Sequence, residues 1–321
     1  MRPLVNHLIP CVTIWLLAVV WLHPRPLEID WVNALLLLGP LVVVPLGLDL
    51  ARRSTPDGPA LGLLQIAAFL QLPSAVLLAL SYGQEIGGWA AVRAVPWTIT
   101  TVVIALAGLA RLWQRRSLAW EELCFDAGLV YLAVGGGWTF LARAGIRPMG
   151  FAPVIVLLTA VHFHFAGFAL PLLTGLAGRA LGGIWSRAAA LGVIAGVPLV
   201  AVGITASQQG LGPVVEGVAA VVTAGAGLLA AALHLRLAAQ RSWPAPVRAL
   251  WLLTALSLAG GMTLAGLYGL RTWISVSWLD IPWMWALHGT ANSLGVGVAG
   301  LLAWILASHL SAGTAPPPAA E

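Results

Sequence analysis

The chain has 321 residues, 60% of them hydrophobic and only 8% charged, and its mean hydropathy is +0.93. Soluble domains carry about 25% charged residues, so a soluble globular protein is excluded and an all-α integral membrane protein is indicated. The net charge of +5 comes from sixteen arginines without a lysine, a basicity that in such a chain sets topology and meets anionic lipid headgroups rather than nucleic acid.

Ten apolar segments follow in order: 4–22, 31–50, 60–81, 95–113, 121–142, 149–177, 184–205, 213–235, 247–270 and 281–308. Each is long enough to cross a hydrocarbon layer of about 30 Å. They form one polytopic domain over 1–310, and the Ala/Pro-rich tail 311–321 is expected to be disordered. Arg2 and the apolar run to Leu22 resemble a signal peptide, but no small-x-small cleavage site follows, so this run reads as the first membrane anchor. Cys11 and Cys124 lie in separate apolar segments and behave as small hydrophobes, without a disulfide or metal motif.

Arginine sets the orientation. Arg2, Arg52, Arg53, Arg111, Arg115, Arg116, Arg179, Arg187, Arg236, Arg241 and Arg248 fall on the side of the N-terminus. Arg25, Arg93, Arg143, Arg147 and Arg271 fall on the other. The positive-inside rule then places both termini in the cytoplasm. Tryptophans such as Trp89, Trp273, Trp113 and Trp243 collect at predicted segment ends, where indole favours the headgroup level. Pro40, Pro45, Pro73, Pro153, Pro171 and Pro198 lie in or near spans and are expected to kink or start helices. Asp126, Glu121 and Glu122 read with Arg115 and Arg116 as a solvated charge cluster, as does Asp49 with Arg52 and Arg53.

The sixth segment is the expected centre of the molecule. It carries no charge between Arg147 and Arg179, and His162 and His164 stand in its middle. Ionisable groups at that depth are costly and mark a functional site by default. Two positions on a helix differ by about 200°, so the pair points to opposite faces and each ring serves a different neighbour. Gly167 and Gly175 share the His164 face and should admit a close partner helix. Thr159 can orient the His162 imidazole or bond its own backbone.

The last segment adds His288, Asn292 and Gly295 on one helical stripe. At 1.5 Å per residue, Asn292 lies about 16 Å, His162 about 20 Å and His288 about 10 Å below the outer interface. Gln71 comes to a similar depth, and Glu216 is the nearest candidate acid. These groups are expected to face one outward-leaning polar cavity as substrate or proton-relay residues. Their ordinary structural use would be interhelical hydrogen bonding for Asn292 and Gln71, and an interfacial carboxylate for Glu216.

The stretches His162-Phe163-His164-Phe165-Ala166-Gly167-Phe168 and His288-Gly289-x-x-Asn292-x-x-Gly295 resemble the YndJ-like family of bacterial multi-pass membrane proteins. The resemblance implies a polytopic protein of the bacterial inner membrane, directs interest to His162, His164, His288 and Asn292, and brings no settled activity. A weaker likeness is to haem–copper oxidases, whose central subunit also carries a His-x-His helix. The histidines needed for a complete oxidase are missing here, because His7, His23, His234 and His309 fall near interfaces.

Three functions fit the residues. A secondary, proton-coupled transporter of unidentified substrate accords with ten spans, little extramembrane chain and midplane histidines. No nucleotide-binding loop is present, and an enzyme is the less favoured assignment. A redox protein with a haem or a metal ion on His162, His164 or His288 is the alternative, although no motif calls for a cofactor. A structural or assembly protein is the third. The partner common to all three is the lipid bilayer.

Overall fold

A computed structural model describes residues 2–312; the expected tail falls almost wholly outside them. Ten long apolar helices run through the described chain: α1 Leu4–Leu22, α2 Ile29–Arg53, α3 Pro59–Ser81, α4 Gly88–Arg115, α5 Trp120–Ala144, α6 Pro153–Leu181, α7 Gly183–Gln208, α8 Pro213–Ala239, α9 Ala245–Gly269 and α10 Ile281–Leu310. No strand occurs among the described residues. The segment count agrees with the hydropathy, but boundaries move. α4 starts at Gly88, seven residues before the expected 95, and so takes in Arg93, which donates to the Leu80 carbonyl at 3.2 Å. α6 starts at Pro153, whose fixed φ and missing N–H suit a first helical position.

Two sequential groups, α3–α4–α5 and α7–α8–α9, pack as antiparallel neighbours around α2, α6 and α10. The centre is α2 rather than α6. In α2 94% of the apolar window is buried, against 56% in α6 and 11% in α1. A helix apolar on every face suits a protein interior and a lipid boundary equally. Hydropathy therefore could not distinguish α2 from α1.

The three central helices share a backbone feature. Each carries π-helical turns: Gly39–Val43 in α2 and Phe165–Ala169 in α6 near mid-span, and in α10 Met284–Gly289 near its start followed by Ala291–Val298 at mid-span. In α2 the Val44 N–H reaches back five residues to Gly39, and in α6 the Leu170 N–H reaches Phe165. The next N–H in that register would come from Pro45 and Pro171, which have none. The Pro40 carbonyl takes the Gln71 amide instead, at 2.7 Å. These turns meet at Gly297, where a Cβ would stand 3.0 Å from Phe165 and 3.2 Å from Val43.

Glycines set the helix spacing, though not on the expected face. Gly167 meets only Phe163 of its own helix, and Gly175 lies against the Glu121 carbonyl of α5. The close approach to His164 comes from the partners, since a Cβ on Gly39 or Gly135 would stand 3.1 or 2.9 Å from its ring.

Two tests follow from this packing. Gly135→Val should lower stability by about 1–3 kcal/mol through overpacking. Gly137→Ala, with open space around its Cβ position, should cost nothing measurable by thermal unfolding in nanodiscs; equal losses would contradict the assigned contacts. For orientation, reporter fusions after Ser186 should read cytoplasmic and fusions within 207–210 external. One location for both would overturn the arrangement.

Candidate functional site

The two central histidines do face apart, and their surroundings differ in kind. His164 is fully buried and fully bonded. Its Nδ1–H donates to the Ala160 carbonyl at 2.7 Å, and its Nε2 accepts the Trp97 indole N–H at 3.0 Å. Both nitrogens are used, so this imidazole is a neutral strut joining α6 to α4 between the glycines of α2 and α5. It has no lone pair left for a metal or haem.

His162 faces the other way, toward α7 and α10. Its Nε2 is buried without a hydrogen-bond partner. The ring lies against the Val197 carbonyl and within electrostatic range of His288. Pro198 shapes this wall of the site. It removes the N–H that would serve the Ile194 carbonyl, and the Tyr131 hydroxyl donates to that oxygen at 2.8 Å instead. Thr223 donates to the Gly196 carbonyl at 3.0 Å. Side chains of α5 and α8 thus serve the carbonyls on either side of Ala195 in the middle of α7.

In α10 the His288 Nδ1 stands 2.7 Å from the Gly261 carbonyl of α9, which requires the proton on Nδ1 and leaves Nε2 as a lone pair. The Asn292 amide nitrogen is 3.1 and 3.4 Å from the two ring nitrogens. An atom on either nitrogen's in-plane axis would stand far from the other, so the amide lies over the ring and satisfies neither. The Asn292 Oδ1 is itself buried without a partner. Helix spacing allows this crowding: a Cβ on Gly261 would reach the Asn292 amide at 2.7 Å, and Gly295 faces Ser257 with no room for a side chain. Thus His162 of α6 lies within electrostatic range of His288 of α10, and His162 Nε2 and Asn292 Oδ1 are buried without a hydrogen-bond partner.

The other sequence candidates lie elsewhere. Thr159 donates to its own Ile155 carbonyl at 2.8 Å and does not orient His162. Gln71 bridges His7, which donates to its Oε1 at 2.7 Å, and the Pro40 carbonyl; it repairs α2. Glu216, in the first turn of α8, pairs with Arg271 at 2.8 Å. Arg271 and Tyr268 line a cleft of about 550 Å³ with Ser275, Ser277 and Asp280, between the end of α9 and the start of α10. Gly261 lies seven residues along α9 from Tyr268, about 10 Å deeper. The cleft therefore lies at the shared end of α9, which carries Gly261, and α10, which carries His288 and Asn292.

Sequence reading also missed a buried charge network. Arg111 and Asp126 are each 4% exposed and pair at 2.8 Å, so this cluster is not solvated. Arg115 bonds Asp126 at 2.8 Å and Glu122 at 3.1 Å, and Arg179 grips Glu122 with two bonds of 2.6 and 2.7 Å. Arg111 also holds Thr55 and the Ser54 carbonyl, and Phe125 lies between the Arg111 and Arg179 guanidinia. Charges at the end of a span look interfacial in a linear sequence. Only the convergence of α4, α5, α6 and the α2–α3 loop excludes water here. His234, placed near an interface by its position, is likewise fully buried and donates to the Ala230 carbonyl at 2.9 Å.

Comparison with known proteins places these residues in a family. A relative from Bacillus subtilis (strain 168), described as the uncharacterized membrane protein YndJ, is 37% identical over 161 residues, 48% of this chain and 28% of its own length. The chain thus covers less than a third of that relative. No solved structure matches. The family model for YndJ-like protein matches residues 34–296, a stretch that contains the whole of α3 to α9 and both histidine motifs. Ten apolar helices and that match agree: this multi-pass membrane protein belongs to the YndJ-like family.

Proposed function

We propose that the protein is a secondary transporter, and that its cargo is bound by His162, His288 and Asn292. One observation supports this above the others: His162 Nε2 and Asn292 Oδ1 are buried without a partner, and His288, which the Asn292 amide overlies, is within electrostatic range of His162. Unsatisfied buried polar atoms are costly, and the other deep polar side chains of the motifs, His164, Gln71 and Thr159, have their bonds made within the protein. Two imidazoles at that depth also offer proton-relay groups.

The surrounding construction suits movement. The α10 wall is built from two successive π-helical turns and the α7 wall contains Pro198, features that let a helix bend without breaking its full bond ladder. The cleft beside Tyr268 and Arg271 supplies the way in from the arginine-poor side. At the arginine-rich end the Arg111–Asp126–Glu122–Arg179 network holds α4, α5 and α6 together, and a route to that side would pass elsewhere.

Directional access tests this reading. With Cys11 and Cys124 changed to alanine, Asn292→Cys should react with a charged, membrane-impermeant methanethiosulfonate in right-side-out vesicles and, more slowly, in inverted ones. Ser277→Cys in the cleft should react from its own side only. Reaction of Asn292→Cys from a single side would contradict a carrier, and no reaction from either side would contradict a solute site.

A further inference from the structure

At the arginine-rich end of the bundle a second cleft, of about 370 Å³, lies between the ends of α2, α6 and α10, with Trp243 of the α8–α9 loop in its wall. Its volume falls in the range of small-ligand sites, roughly 300–1,000 Å³. Independently of the histidine site, we propose that this cleft binds a phosphate ester. Arg53 and Arg179 hold the phosphate, and the ester part lies against Trp243, Trp304 and Leu176.

The donors are identified by what each guanidinium already does. Arg53 holds Asp49 through Nε at 2.6 Å and Nη2 at 3.3 Å, and its Nη2 also meets the His309 Nε2 at 3.2 Å. Arg179 holds Glu122 through Nε at 2.6 Å and Nη2 at 2.7 Å. Both use the same side of the fork. Among the described residues no acceptor meets Nη1 of either, so each keeps two N–H groups in the cleft wall that it helps to form. The two side chains are 39% and 24% exposed, so neither is shut in. Ser54 brings a hydroxyl to the same cleft, and Trp304 brings an indole whose buried N–H has no acceptor. The Trp304 ring is set edge to face on Trp251 at 5.3 Å, and Trp251 on Trp243 at 5.2 Å, which fixes the aromatic part of the wall.

Charge and shape select the ligand. The two ion pairs, extended through Arg115 and Arg111 to Asp126, set four guanidinia against three carboxylates. That surplus favours an anion. The carbonyl ends of α2 and α6, which also lie here, oppose one, so the free Nη1 groups carry the attraction. A carboxylate offers two oxygens in one plane and is filled by a single guanidinium fork. Donors from two helices, joined by a hydroxyl and an indole, match instead the several oxygens of a phosphate. Indole and leucine surfaces in the same cleft cover the less polar ester part. An anionic phospholipid headgroup and a soluble phosphorylated solute share this chemistry.

The purified full chain in detergent tests the site with two probes at matched ionic strength. Glycerol 3-phosphate is titrated by calorimetry, and phosphatidylglycerol is counted by native mass spectrometry against phosphatidylcholine as the neutral control. At least one of the two probes should bind, one per chain. Arg53→Gln and Arg179→Gln should each weaken that binding about tenfold, the loss of a charge-assisted bond. Trp304→Phe keeps the ring and removes an N–H that bonds nothing in the protein; it should weaken binding roughly threefold and leave the unfolding temperature unchanged. Arg187→Gln, exposed at the same end but outside the cleft, should change nothing. Binding of phosphatidylglycerol alone would assign a lipid headgroup, and binding of glycerol 3-phosphate a soluble ester. Absence of binding by both probes, or phosphatidylcholine bound as tightly as phosphatidylglycerol, would overturn the inference. So would equal affinity in the parent, Arg53→Gln and Trp304→Phe, or an equal loss in Arg187→Gln and Arg53→Gln.

Discussion

Inside a bilayer every backbone N–H and C=O must find its partner within the protein, and the prolines of this chain repeatedly break that condition. Pro45 leaves the Pro40 carbonyl unserved and Pro198 leaves Ile194 unserved. The remedies come from neighbouring helices: Gln71 of α3 reaches Pro40, and Tyr131 of α5 reaches Ile194. Polar residues in the spans are therefore first of all repairs, and each repair ties two helices at one level. The same rule gives meaning to the exceptions. Once the repairs are assigned, His162 Nε2 and Asn292 Oδ1 are among the buried atoms that still serve no backbone group.

The π-helical turns extend this argument from energetics to architecture. One extra residue in the turn lets α2, α6 and α10 change register while keeping most of their bonds, and all three place it where they cross. Gly39 and Gly297 remove the side chains that would hold the crossing apart. His164 locks the α6 turn by bonding Trp97 just before it begins. The histidine pair thus straddles two regimes: one ring belongs to the rigid α2–α4–α5 side, and the other to the α7–α10 side, where backbone irregularity is concentrated.

Much of this was legible in the chain and part was not. The ten segments, the opposed directions of His162 and His164, and the association of His288 with Asn292 follow from hydropathy and helical spacing. The centrality of α2 does not, since Leu35–Leu38 would be as apolar facing lipid. Gln71 has the depth expected for the site but meets other neighbours, and Glu216 stays at the helix end with Arg271; depth along a helix carries no information about which neighbour it meets. Thr159 chose its own backbone, an option sequence leaves open for any helical threonine. The burial of Arg111 and Asp126 depended on four chain segments closing over them. The usable hint was already present in the sequence: Gly175 and Gly178, about one turn apart on α6 and both against Glu121 of α5, permit that closure.

The central claim is that His164 is structural and His162 is kept for a ligand. Equilibrium unfolding of His164→Ala and His162→Ala in lipid nanodiscs separates them most directly. The account predicts a loss of about 1–3 kcal/mol for His164→Ala, which strands the Trp97 N–H, and little or no loss for His162→Ala, whose Nε2 bonds nothing in the protein. A larger loss for His162→Ala than for His164→Ala would contradict it.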